Sequence, residues 1–120
     1  MINVYSSSRY KIAKKNIANH AQKFLTRYNL ESNYIFNIVF VGVRKMKQVA
    51  NTYKNEDVAL PVLSFSYPVN PAIQDEQVIG EVIICYPQAV LLAAEREKRV
   101  DILLQNLIEH GIENILGRQS

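Results

Sequence analysis

Apolar positions recur along this chain with two different periods, and the switches between them predict its elements. Ile2-Asn3-Val4-Tyr5 alternates with period two, which predicts a short strand at a sheet edge or beside the core helix. Ser6-Ser7-Ser8 offers N-caps, and Ile17, Ala21, Phe24, Leu25 and Tyr28 then form a helical stripe from about Arg9 to Tyr28. After the polar break 29–33, the β-branched and aromatic run Tyr34 to Val41 predicts a largely buried central strand that ends at Gly42. Val43 to Asn55 reads as a second helix with Met46, Val49, Ala50 and Tyr53 inward. Strands are predicted over Val62 to Tyr67 and Gln77 to Cys85, separated by a loop that Pro68 and Pro71 bracket. Pro87 sits in a first helical turn, a helix follows over Ala89 to Lys98, and a turn falls near Glu97. The last helix runs from Arg99 to Ser120. Its stripe of Val100, Leu103, Leu104, Leu107, Gly111 and Ile115 is widened by Ile108, Ile112 and Leu116.

The order β-α-β-α-β-β-α-α predicts one α+β domain over residues 1–120, a mostly parallel, mixed four-stranded sheet packed with helices. Its strand-helix-strand units should be right-handed parallel crossovers, with strands 62–67 and 77–85 paired antiparallel. A chain of 120 residues, 48% hydrophobic and 21% charged, has the composition of a globular domain with a single core. No apolar run approaches the ~20 residues of a membrane span, and the N-terminus lacks a signal peptide's apolar core, so a cytoplasmic protein without membrane contacts is expected. The single cysteine, Cys85, excludes an internal disulfide and a Cys-rich zinc site, and should pack as a small apolar side chain.

Charge changes the picture more than composition does. Residues 1–54 carry ten Lys and Arg against one acid, Glu31, while residues 55–120 carry four against ten acids. This split suggests a basic face that meets a polyanion, set against a soluble surface with coincidental clustering. The candidate contacts are Arg9, Lys11, Lys14, Lys15 and Lys23 on the first helix and Arg44, Lys45, Lys47 and Lys54 on the second. With Arg27, the first helix holds six cations and no acid, so no i, i+4 ion pair can offset their repulsion. Cations near the start of the second helix also oppose its dipole, whereas Lys54 at its end is favoured by it. His20 reads as an ordinary surface or boundary histidine. Glu81 interrupts an apolar strand beside Gly80 and, if buried, needs a partner.

His110 and Asn114 are four apart, so they share one face of the last helix, the spacing of a metal-binding helix with an amide in the second place. The run His110-Gly111-Ile112-Glu113-Asn114-Ile115-Leu116-Gly117-Arg118-Gln119-Ser120 resembles the signature H-G-x-L-H-L-x-G-Y-D-H of the YbeY family of rRNA-maturation endoribonucleases. Upstream segments resemble the family in the same order. Ile38 to Val41 followed by Met46, Asn51, Tyr53 and Lys54 is similar to its strand, helix and L-N-x-x-Y-R, and Val62-Leu63-Ser64-Phe65 is identical to its V-L-S-F. Ile79-Gly80-Glu81-Val82-Ile83-Ile84-Cys85 is similar to L-G-D-I-V-I-S.

The resemblance implies the family's fold, an RNA substrate, a small-ribosomal-subunit partner, no DNA, and zinc held by three histidines. Those histidines fall on His110, Asn114 and Ser120, so zinc is expected to be lost or weak. The family's catalytic arginine falls on Lys54, which keeps the charge without the planar fork that grips phosphate. Glu113, three residues from His110, is a possible substitute ligand, in a set suited to Mg²⁺ or Mn²⁺. Three readings stay open. The chain is an endoribonuclease with His110 as base and Lys54 as phosphorane stabiliser, a non-catalytic rRNA-binding relative, or a protein-interaction module.

Overall fold

A four-stranded sheet in the order β1-β2-β4-β3 carries helices on both faces. The computed structural model describes residues 1–7 and 9–119, with side chains up to residue 117. The elements are β1 (Ile2–Tyr5), α1 (Lys14–Leu25) with a 3-10 turn Thr26–Tyr28, β2 (Tyr34–Val41), α2 (Val43–Lys54), β3 (Val62–Ser66), β4 (Gln77–Cys85), α3 (Tyr86–Glu95) and α4 (Val100–Gln119). Strands β1, β2 and β4 run parallel, and β3 pairs antiparallel with β4 at the far edge. This is the mixed α+β sheet that the alternation predicts.

Alternation along each strand sorts side chains between the faces. Phe36, Ile38, Phe40, Val82 and Ile84 enter the main core with Phe24 of α1, Ala89 and Ala93 of α3, and the apolar stripe of α4. The opposite parity gives Leu63, Cys85 and Ile83, which meet Met46 and Ala50 of α2 in a smaller cluster. Helix α2 therefore lies on one face of the sheet, and α1, α3 and α4 lie on the other.

Element ends depart from expectation where tertiary contacts decide them. Helix α1 starts at Lys14 rather than Arg9, with Ala13 at its cap and no side-chain cap. Residues 9–13 instead form a leader in which the Tyr10 ring packs on Tyr86 at a centroid distance of 5.1 Å. Ser6 and Ser7 lie upstream of the cap, and Ser8 lies outside the described residues. Helix α3 begins at Tyr86, with Pro87 in its first turn, and ends by Glu97 in the left-handed region at φ 52°. Tyr53 and Tyr28, expected inward, are exposed. Among the described residues, no helix is long and apolar enough to cross a membrane.

Candidate active site and RNA interface

Helix α4 sets the position of His110 through a close seat on β4. A Cβ at Gly111 would lie 2.8 Å from Cγ2 of Val82, and one at Gly80 would lie 2.6 Å from Cγ2 of Ile115. Glycine on the helix thus admits a strand valine, and glycine on the strand admits a helix isoleucine. The two contacts also fix the rotation of α4. Glu109 points to α1, where its carboxylate oxygen is 3.0 Å from Nε2 of His20. At about 100° per residue, His110 and Asn114 then fall on the opposite flank, toward β3. Helix α4 packs along both β3 and β4.

His110, Glu113 and Asn114 are all exposed, and none makes a hydrogen bond or ion pair among the described residues. Ser120, the remaining ligand position, lies outside the described residues. No cluster of three His, Cys, Asp or Glu groups able to hold a metal is present among the described residues. Among the described residues, the family's ligand positions supply one imidazole and one neutral amide, with the Glu113 carboxylate one residue away, where zinc takes three or four N, S or carboxylate donors.

Lys54 reaches the same edge from the other side of the sheet. It is the last residue of α2, which Asn55 closes in the left-handed conformation, its N–H donating to the Ala50 carbonyl. Its neighbour Tyr53 packs edge-on against Phe65 of β3 at 4.9 Å. Because α2 and α4 cover opposite faces, Lys54 and His110 stand on opposite sides of the sheet that β3 borders. Clefts of about 430 to 580 Å³ open elsewhere on the surface, lined among the described residues by neither Lys54 nor His110.

The nine candidate RNA contacts are all exposed and form no ion pair among the described residues. They do not share one helical face, because α1 and α2 lie on opposite sides of the sheet. What joins part of the set is the leader before α1. A Cβ at Gly42, the cap of α2, would lie 2.9 Å from the Tyr10 hydroxyl. Arg9 and Lys11 are therefore brought to the start of α2, beside Arg44 and Lys45, at the carboxyl ends of the parallel strands. Lys23 and Lys54 lie on the last turns of their helices, away from that end.

Two pairs escaped sequence reasoning in their partners. Glu81 accepts a hydrogen bond from the Tyr67 hydroxyl. Desolvation, reinforced by that bond, pushes the Tyr67 phenol up to about 12. The oddity of a carboxylate in an apolar strand was the only signal, and it named no partner. His20, unremarkable in sequence, ties α1 to α4 through Glu109.

Comparison with known proteins places this arrangement. Relatives named Endoribonuclease YbeY include one from Phytoplasma australiense, 29% identical over 92 residues, covering 75% of this chain and 63% of that protein. One from Stutzerimonas stutzeri is 32% identical over 80 residues, covering 67% of this chain and 50% of its own. The chain thus spans about half to under two thirds of the length of these curated relatives. The solution structure of a Thermotoga maritima protein has the same fold, with TM-score 0.65 and 19% identity, over 93% of this chain and 69% of that one. The family model described as Endoribonuclease YbeY matches residues 2–118, and the chain belongs to the YbeY family.

Proposed function

We propose that this chain acts on ribosomal RNA in the cytoplasm, in contact with the small ribosomal subunit, as a YbeY-type endoribonuclease whose metal site is altered. The observation that supports it is the retained seat of His110: Gly111 on Val82 and Ile115 on Gly80 hold α4 against the sheet so that His110 flanks the β3 edge. Lys54 comes to that edge from the other face, and cations unpaired among the described residues supply phosphate contacts. The donor set does not fit zinc, so the chemistry assigned to these residues is acid–base. His110 takes the proton from the attacking hydroxyl as its oxygen bonds to phosphorus, and the Lys54 ammonium offsets charge on the phosphorane. The P–O bond to the leaving strand then breaks, its oxygen taking a proton from water. DNA is not an expected substrate.

The test is cleavage of an rRNA fragment by the parent, His110→Ala and Lys54→Gln. A base contributes about 10²- to 10⁴-fold, so His110→Ala should lose cleavage to that extent while RNA affinity stays unchanged. Cleavage that survives in this variant refutes the assignment. The poverty of metal donors favours a second reading, a non-catalytic rRNA-binding relative. That reading predicts tight, salt-sensitive RNA binding with no cleavage by the parent in any added metal. If partners captured by the chain survive nuclease treatment while RNA binding is absent, the protein-interaction module stands instead.

A further inference from the structure

On the flank of α4 opposite His110, a cleft of about 540 Å³ opens between α1 and α4. Its volume falls in the range of small-molecule sites. Ile12, Ile17, Leu104 and Ile108 form apolar walls, and the Tyr86 ring lies at one side. Polar groups converge on this apolar lining: Asn16 and His20 from α1, Asp101 and Gln105 from α4. The Asn16 and Gln105 side chains make no hydrogen bond among the described residues, so two amides, each with a carbonyl and an NH2, are free for a ligand. His20 is engaged by Glu109, and Asp101 by Arg99 and the Ile102 N–H, so the acids are already partnered.

The rim supplies the second half of the argument. Lys11 lines the cleft, and Arg9, Lys14 and Lys15, its neighbours in sequence, are exposed with no ion pair among the described residues. An apolar slot with an aromatic side and free amides matches a nucleobase, and clustered cations beside it match the phosphates on either side of that base. Amide side chains bond the edges of bases. Rings stack on aromatic side chains in single-stranded recognition.

We propose that this cleft is a nucleobase pocket for single-stranded RNA, separate from the β3 edge, with one unstacked base between α1 and α4 and its phosphates on Lys11 and its basic neighbours. The proposal rests on the reading that the chain binds RNA, and deepens it by naming a second point of contact. A duplex cannot present a base here without losing a pair, so preference for single strands follows.

The test is fluorescence anisotropy with a labelled single-stranded oligoribonucleotide and a hairpin control, on the full chain over a range of salt. The double variant Asn16→Ala, Gln105→Ala should weaken single-strand binding about tenfold, with the salt slope unchanged because no phosphate contact is lost. Lys11→Gln should instead lower the slope by about one. A strand carrying 2-aminopurine should be quenched by the parent and released from quenching by Tyr86→Leu. If the double variant binds as the parent does, the pocket is overturned while RNA binding stands. If the parent binds no RNA at any salt, both readings fall. If the double variant loses an amphipathic helical peptide rather than RNA, the occupant is a protein segment and the proposal is overturned.

Discussion

A single hydrogen atom at position 111 sets the height of α4 above β4. Adding a methyl there forces the Val82 side chain and the helix apart, and overpacking of this kind costs about 1 to 3 kcal/mol. Gly111→Ala should therefore lower stability by that amount in urea unfolding. It should also displace His110 and reduce any cleavage by more than the stability loss explains. A second residue-level prediction concerns Tyr67, whose phenol is pushed to about 12 by burial and by its bond to Glu81. Its folded value lies above its unfolded one, so its contribution is present below about pH 10 and is lost as pH rises toward 12. Tyr67→Phe should remove the latest-ionising step from an ultraviolet titration of the seven tyrosines. At this scale His110 and Lys54 were legible as candidates from spacing and resemblance. Their surroundings were not, because which flank of α4 faces α1 depends on the seat at Gly111 and Gly80.

Elements were legible where local preference and burial agree. The β-branched and aromatic runs of β2 and β4 give their bounds directly even with Asn37, Gly80 and Glu81 among them, since the positions around these favour a buried strand. The start of α1 was not legible. The leader 9–13 has the residues to be helical, but the stacking of Tyr10 on Tyr86 holds it away from the helix axis. The end of α3 carries a local conflict of another kind. Glu97 adopts φ 52°, a conformation that costs a side-chain residue about 1 to 2 kcal/mol and glycine almost nothing. Glu97→Gly should therefore raise stability in thermal or urea unfolding, less whatever the added glycine gives the unfolded chain. No fall in cleavage should accompany it, since the turn precedes the first residue of α4 and His110 lies ten residues into that helix. The unpaired cations of α1 make a further prediction. Neutralising Lys14 and Lys15 should shallow the salt dependence of RNA binding by about two in the logarithmic slope, and a flat response in the parent removes the electrostatic reading.

The molecule as a whole divides its cations between two faces of one sheet, which no one-dimensional charge count could show. The sum of +3 conceals a basic end where the leader of α1 meets the start of α2, while Lys23 and Lys54 stand apart from it. Helix α2 links the two regions, with its start at the basic end and Lys54 on its last turn. Beneath this, Cys85 is fully buried at the junction of β4 and α3, and its thiol is held above the ordinary value by desolvation. It is also the chain's one cysteine. A thiol reagent can reach it only when that junction opens, so labelling serves as a clock for the slowest breathing of the fold. Ligands that clamp the sheet should slow the clock, and Gly111→Ala, by loosening the helix on the opposite face, should speed it.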